Sequence, residues 1–176
     1  MYKRQVLQVQ GLRKNYPAFT LSEVSFSLEA GRIMGFIGRN GAGKTTTIKS
    51  CCGILQFEEG EIYVDGVSIR EDPIGCKRKI AYLPDNPDLY EFLSGVQYLN
   101  FIADVYGVSK EERERRIKEY ADLFGLTEDL AQPISAYSHG MKQKLAIISA
   151  LIHSPKLLII CLLYTSPSPR DAHESR

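Results

Sequence analysis

The feature that most constrains this chain is a glycine-rich octapeptide at residues 38–45, which reads Gly-Arg-Asn-Gly-Ala-Gly-Lys-Thr. An apolar run at residues 32–37 precedes it and predicts a short buried strand. Residues 44–55 follow it with Ile48, Cys52 and Leu55 at helical spacing, which predicts a helix. The spacing GxxxxGK[ST] between a strand and a helix is typical of a loop that binds the phosphates of a nucleotide.

Each group in this loop has a chemical role in binding phosphates. Glycines let backbone N–H groups turn inward, and the start of the helix adds a partial positive charge. Lys44 can reach the β- and γ-phosphates and is the candidate catalytic residue. The Thr45 hydroxyl is a candidate Mg²⁺ ligand, and Thr46 offers a second hydroxyl near the α-phosphate. The remaining phosphate contacts come from the backbone of Gly38, Asn40, Gly41, Ala42 and Gly43.

The elements around the loop predict an α/β fold. Apolar and alternating stretches predict strands at residues 6–12, 19–28, 80–83 and 156–160, the last one of the buried type. Asp65-Gly66, inside an alternating stretch at residues 62–69, predicts a hairpin. We therefore expect a nucleotide-binding α/β core with an N-terminal antiparallel β subdomain.

A helical insertion is predicted at about residues 88–137. Ser94 with Gln97 and Ser109 with Glu112 have the spacing of capping boxes, and Ser138 begins a further helix. The charged stretch within this insertion mixes both signs, which favours a solvated helix face over a binding tract.

Composition excludes several classes of protein. The 176 residues carry a formal net charge of +1, so no strong bias toward nucleic acid is present, and no nucleic acid is expected as a partner. The most apolar stretch, residues 145–163, is interrupted by His153, Pro155 and Lys156 and does not predict a membrane span. Cys51 and Cys52 lie in the predicted helix, where buried free thiols are expected.

Four segments together resemble the ATP-binding subunits of ABC transporters, over residues 6–160. Val24-Ser-Phe-Ser-Leu-Glu-Ala-Gly leads toward the phosphate loop as it does in that family, and Tyr16 stands at the family's adenine-stacking position. Ile80-Ala-Tyr-Leu-Pro-Asp is similar to the segment that contains the family's glutamine loop. Tyr137-Ser-His-Gly-Met-Lys-Gln-Lys-Leu resembles the family's signature, usually written LSGGQ.

The resemblance implies roles for residues that would otherwise be interpreted more simply. Taken alone, Tyr16 is a surface or core tyrosine and Ser138 is a helix cap. In the family, the signature segment closes over the γ-phosphate of ATP held by a second subunit in a head-to-tail dimer, which assigns Ser138, Gly140 and Met141 to the nucleotide. Asp85 replaces the usual glutamine and becomes a candidate ligand of the nucleotide and of Mg²⁺, together with Thr45. His139 replaces the first signature glycine, and we do not expect it to bind the nucleotide.

The resemblance also implies a function. ATP binding and hydrolysis would drive transport through a separate transmembrane permease, from a cytoplasmic position on the inner face of the cell membrane. The Leu-Pro-Asp sequence and the sequence of the signature segment are most similar to those of export-type members. The alternative is a soluble ABC-type ATPase that acts on ribosomes or DNA, and a P-loop kinase or GTPase is disfavoured by the signature segment.

Both ends of the chain differ from the rest. Residues 161–176 resemble a translated sequencing adapter, and residues 1–5 resemble the same adapter from the other strand, so we expect both to be artefacts. We expect residues 161–176 to be disordered and residues 6–160 to be a partial ATPase domain without the C-terminal part of its core. Cys161-Leu-Leu stands where the family carries Asp-Glu-Pro, so the chain as written is expected to be inactive in hydrolysis.

Overall fold

The computed structural model of the protein describes residues 4–161, which form two β-sheets and five α-helices. Most of the predicted 161–176 segment and residues 1–3 lie outside the described residues. Arg4 and Gln5, from the other predicted artefact, are described, and Gln5 begins the first strand. The strands are β1 Gln5–Tyr16, β2 Phe19–Glu29, β3 Glu59–Val64, β4 Val67–Ser68, β5 Ile80–Leu83 and β6 Leu157–Ile160. The helices are α1 Lys44–Cys51, α2 Pro73–Lys79, α3 Gly95–Val105, α4 Lys110–Phe124 and α5 His139–Leu151, with 3₁₀ turns at Thr127–Asp129 and Ile134–Ala136.

The N-terminal strands form an antiparallel sheet in the order β2-β1-β3-β4, as the sequence predicts. Asp65 and Gly66 connect β3 to β4, and both have positive φ angles, 52° and 80°, which the tight hairpin turn requires. The β1–β3 register shifts between Gln10 and Arg13. At that point a Cβ atom on Gly60 would lie 2.5 Å from the Gln10 carbonyl oxygen, so only glycine fits.

Helices α1 and α2 bring buried residues to the same core as this sheet. Val9, Leu12, Ile62 and Val64 of the sheet are almost fully buried, in one cluster with Cys51 from the end of α1. The predicted buried free thiols are confirmed, because Cys51 and Cys52 are both buried and unbonded. Burial raises the pKa of each of these two thiols to about 12, so they pack as small apolar groups.

The predicted helical block is confirmed in the form of α3, α4 and the two 3₁₀ turns that follow α4, which pack with α5. Ser94 begins α3 with a full capping box, because its hydroxyl accepts from the Gln97 N–H while Gln97 Oε1 accepts from the Ser94 N–H. Ser109 caps α4 in one direction only, through the Glu112 N–H. The largest fully buried side chains of this block are Leu99, Leu126, Ile134, Leu145, Ile148 and Ile152.

A second, parallel sheet joins β5 to β6 in register, from Ile80 opposite Leu157 to Leu83 opposite Ile160. It lies where α5 ends, and His153 from that end stacks on Tyr106 with ring centroids 3.7 Å apart. These contacts fix the end of α5 relative to the end of α3, since Tyr106 is the C-cap residue of α3.

The predicted buried strand at residues 32–37 is wrong. No strand forms there among the described residues, and Ile33 and Ile37 are fully exposed. Phe36 is also exposed, at 39%, although its ring meets that of Phe26 in β2 edge-on, with ring centroids 5.0 Å apart. An apolar run predicts burial, but a strand also needs a hydrogen-bonded neighbour, and within residues 4–161 this run has none.

The end of α1 and the burial of β6 also differ from the sequence prediction. Helix α1 ends at Cys51 rather than at residue 55, because Gly53 takes a φ of +64° that stops the helix. Strand β6 is only half buried, with Leu158 40% and Ile160 47% exposed. Its described pairing is to β5 alone, which leaves its other edge uncovered within the described residues.

Candidate functional site

The phosphate loop leads directly into α1, and its glycines have the backbone conformations that the motif requires. Gly41 and Gly43 have φ angles of 82° and 85°, in the left-handed region. Gly43 is restricted further, since a Cβ atom there would lie 2.5 Å from Leu21 Cδ1 and 3.4 Å from Phe19 Cζ. Strand β2 therefore presses against the loop at the residue where α1 begins.

The Lys44 side chain folds back over the loop. Its ammonium Nζ donates to the Gly38 carbonyl at 2.5 Å and to the Arg39 carbonyl at 2.8 Å. Gly38, Asn40 and Ala42 of the same loop are all exposed. The Ala42 N–H donates to the Arg39 carbonyl at 3.2 Å. The backbone groups of the loop and the Lys44 ammonium therefore lie close together at the protein surface.

The first turn of α1 is open to an anion. Gly43 occupies its N-cap position, and no side chain within the described residues caps the helix there. Thr45 is exposed and Thr46 is half buried, so both hydroxyls lie near the surface of this turn. The sequence did not single out Thr47, which is buried and donates from Oγ1 to the Gly43 carbonyl at 3.0 Å, fixing the loop to the helix.

Tyr16 lies at the end of the β1–β2 hairpin that presses on the loop. It pairs across the turn with Phe19, the same residue that lies 3.4 Å from the Cβ position of Gly43. Tyr16 is 40% exposed as a residue, and Lys14 Nζ lies 5.7 Å from the centroid of its ring. The structure therefore brings the predicted adenine-stacking residue and the predicted phosphate loop to one side of the same sheet.

Glu58 is a second residue of this region that sequence reasoning missed. Its carboxylate contacts the Lys14 ammonium and the Asn15 backbone N–H, immediately before Tyr16. The hydrogen bond from Lys14, and then that from Asn15, hold the pKa of the Glu58 carboxyl below its usual range. Only the three-dimensional pairing of β1 with β3 reveals this contact, because no motif contains it.

The predicted signature residues lie at the start of α5. Ser138 is its N-cap, with Oγ accepting from the Met141 N–H at 3.3 Å, so the predicted capping is confirmed. Ser138 and Gly140 are exposed, whereas the Met141 side chain packs on the helical core. His139 Nε2 lies 2.9 Å from Gln143 Nε2 on the next turn of the same helix.

Asp85 is exposed in the loop after β5, and within residues 4–161 its carboxylate accepts no hydrogen bond. The residues directly after it share a cavity of about 410 Å³ with the first two turns of α5. The lining of that cavity consists of Asn86, Pro87, Asp88, Leu89, Glu91, His139, Lys142 and Gln143. The structure therefore brings the Asp85 loop next to the start of α5.

The described part of the chain contains no group of three or more His, Cys, Asp or Glu side chains that could hold a metal ion. A Mg²⁺ ion at the Thr45 hydroxyl would take most of its ligands from nucleotide phosphates and water, which is a usual arrangement for this ion, with the Asp85 carboxylate as one further candidate ligand. Among the helices described, none is both long and apolar enough to cross a lipid bilayer.

Comparisons with known proteins agree with this geometry. The family model described as ABC transporter matches residues 21–160. The chain is 37% identical over 159 residues to the uncharacterized ABC transporter ATP-binding protein YhcH of Bacillus subtilis, covering 89% of this chain and 51% of that protein. It is 36% identical over 156 residues to the linearmycin resistance ATP-binding protein LnrL of the same organism, covering 88% of this chain and 50% of that protein.

A solved structure, described as the ATP binding subunit of an ABC transporter, superposes with a TM-score of 0.84 at 36% identity. The superposition covers 96% of this chain and 70% of the other. The present chain spans about half the length of the curated relatives it matches. The matched residues include the phosphate loop, the Asp85 loop and the start of α5, so the chain belongs to the ABC transporter family, among its ATP-binding proteins.

Proposed function

We propose that this chain supplies the nucleotide-binding part of an ABC transporter ATP-binding subunit, with Mg·ATP held at the phosphate loop. The observation that carries the proposal is the contact of β2 with Gly43, which places Phe19, the strand partner of Tyr16, against the loop whose lysine folds over the loop carbonyls. Lys44 and the backbone of the loop bind the phosphates, and Tyr16 stacks on the adenine base. Thr45 holds Mg²⁺, with Asp85 as its second candidate ligand.

The start of α5 completes the site of a second copy in a head-to-tail dimer. Ser138 and Gly140 are exposed, and their helix end offers a hydroxyl, backbone N–H groups and a helix dipole to an anion. This arrangement supports binding to the γ-phosphate of ATP held by the other subunit.

Hydrolysis requires more than the loop. Phosphoryl transfer depends on charge stabilisation and on a positioned water, which carboxylates after β6 supply in the family. The sequence has Cys161 and Leu162 there, so this chain binds ATP without efficient turnover.

Transport requires a partner that spans the membrane, and the chain would act at the cytoplasmic face of that partner. Resemblance to an ATP-binding subunit supports a separate permease. The name of LnrL, a resistance protein, supports export as the direction.

Titration of the 176-residue chain with Mg·ATP in a calorimeter tests the binding step. Replacing Lys44 with alanine removes a charge-assisted contact worth about 1.5 to 3 kcal/mol, so the dissociation constant should rise by about 10- to 150-fold. Lys49→Ala is the matched control, because Lys49 lies on the same helix and is exposed. Equal losses in the two variants, or no binding by the original chain, would contradict the proposed site.

A further inference from the structure

The segment before β3 is tied to the three residues that precede Tyr16. Glu58 Oε1 lies 2.7 Å from Lys14 Nζ, and Oε2 accepts from the Asn15 backbone N–H at 2.9 Å. The Glu58 N–H donates to the Arg13 carbonyl at 3.1 Å. One glutamate therefore contacts three consecutive residues of β1 through three separate groups.

The backbone of Glu58 is itself held by Arg70. Arg70 Nη2 donates to the carbonyls of Phe57 and Glu58, at 3.1 and 3.3 Å. The guanidinium carbon of Arg70 also lies 4.3 Å from the centroid of the Phe57 ring. Because Arg70 holds the backbone of Glu58 in place, the Glu58 carboxylate contacts β1 from a fixed position.

The ammonium that Glu58 holds lies over the Tyr16 ring. Lys14 Nζ is 5.7 Å from the ring centroid, within the range of a cation–π contact. The Lys14 side chain is only 16% exposed, so the carboxylate and the ring together restrict its position. With the cation on one face, a stacked base would take the other face of the ring.

We propose that Glu58 is a positioning residue for the nucleotide base, which fixes Tyr16 by holding Lys14 and the Asn15 backbone. The inference rests on the proposed function, in which Tyr16 stacks on adenine. A tyrosine at the exposed end of a hairpin must be immobilised when a base binds, and ordering it beforehand removes part of that cost. The lowered pKa of Glu58 supports the charged form that this contact needs.

The test compares two ligands of the 176-residue chain, Mg·ATP and Mg·tripolyphosphate. Tripolyphosphate has no base, so the ratio of the two affinities measures the contribution of the base alone. Tyr16→Ala should lower that ratio about 5- to 150-fold, the range known for stacked bases. Glu58→Ala should lower it by about two- to tenfold, the effect of one side chain that is no longer pre-ordered.

Three further variants separate positioning from folding. Glu58→Gln keeps the size of the side chain and should give a smaller loss of the ratio. Adding Glu58→Ala to Tyr16→Ala should cause no additional loss, because the glutamate acts only through the tyrosine. Glu59→Ala is the matched control, since Glu59 pairs instead with Arg13, at 3.3 Å, and should leave the ratio unchanged.

The outcomes distinguish this inference from the proposed function beneath it. If Tyr16→Ala leaves the ratio unchanged, Tyr16 does not bind the base, and the adenine contact in the proposed function is wrong. If Tyr16→Ala lowers the ratio while both Glu58 variants leave it intact, the proposed function stands and the role of Glu58 is refuted. A fall in tripolyphosphate affinity equal to that in ATP affinity would also refute it, because the effect would then be structural.

Discussion

The phosphate loop with its hairpin and the start of α5 are both anion sites in the proposal, but the chain surrounds them differently. In the first region, Gly43 has Leu21 against it, and the Lys44 ammonium already holds two carbonyls. In the second region, Ser138 and Gly140 are exposed, and beyond the backbone of α5 itself no described residue comes within 4 Å of the Cβ position at Gly140. The first region is shaped by its own chain, whereas the second is open for a group from outside.

This difference indicates how a nucleotide site can be divided between two copies. Each copy must bind its own nucleotide, and this binding depends on the phosphate loop, whose shape is fixed by β2 and α1. The start of α5 closes over the γ-phosphate only when two copies meet, and for this contact its backbone N–H groups must stay exposed. Substitutions of Gly43 in the phosphate loop, and of Ser138 and Gly140 at the start of α5, therefore test this difference between the two regions.

The largest effect is expected for Gly43→Ala. The residue has a φ of +85° and its new methyl would overlap Leu21, so the variant should lose about 1 to 3 kcal/mol of folding free energy. Because the loop must deform to relieve the overlap, Mg·ATP binding should fall below detection in calorimetry. Gly31→Ala is the control, since Gly31 has a φ of +75° and, apart from its chain neighbours, no described residue comes within 4 Å of its Cβ position. It should lose stability and keep its ATP affinity, and equal ATP losses would contradict the model of a shaped loop.

A smaller effect is expected for Ser138→Ala. Loss of the cap bond to the Met141 N–H should destabilise the chain by about 1 kcal/mol, measured by urea unfolding. The affinity of a single chain for Mg·ATP should not change, because the serine belongs to the partner's site. A drop in that affinity at low protein concentration would place Ser138 in the nucleotide site of its own chain. It would contradict the view that the start of α5 serves a second copy. Ser109→Ala, at the cap of α4, provides a control of equal size.

The smallest effect, of opposite sign, is expected for Gly140→Ala. Gly140 lies in the first turn of α5 with an ordinary helical backbone and open space around it. Alanine should therefore stabilise the helix by up to about 1 kcal/mol, seen as a raised urea midpoint. Destabilisation would show that the start of α5 is packed within its own chain.

Much of this architecture is predictable because local rules agree with the tertiary structure. Asp65-Gly66 predicts the hairpin through its turn chemistry, and the strand at residues 80–83 is found with the predicted bounds. Ser94 and Ser138 begin helices as expected, because cap bonds are local. The loop at residues 38–45 is recognised for the same reason, since all its groups lie in one short segment.

The remainder depends on contacts between segments distant in the sequence. Residues 32–37 have the composition of a buried strand, but composition does not supply the neighbour with which a strand pairs. Glu58 lies 44 positions from Lys14, so its contact with the Tyr16 hairpin appears only once β1 and β3 are paired. The burial of Thr47 follows from the packing of α1 and is equally invisible in a motif.

The position of the adenine base tests the central claim most directly. The 176-residue chain would be photolabelled with 8-azido-ATP and Mg²⁺, and the labelled peptide identified by mass spectrometry. The proposal predicts label in the β1–β2 hairpin around Tyr16, abolished by excess ATP and weakened by Lys44→Ala. Label that ATP displaces but that falls on another part of the chain would contradict the assignment of this hairpin and loop as the nucleotide site.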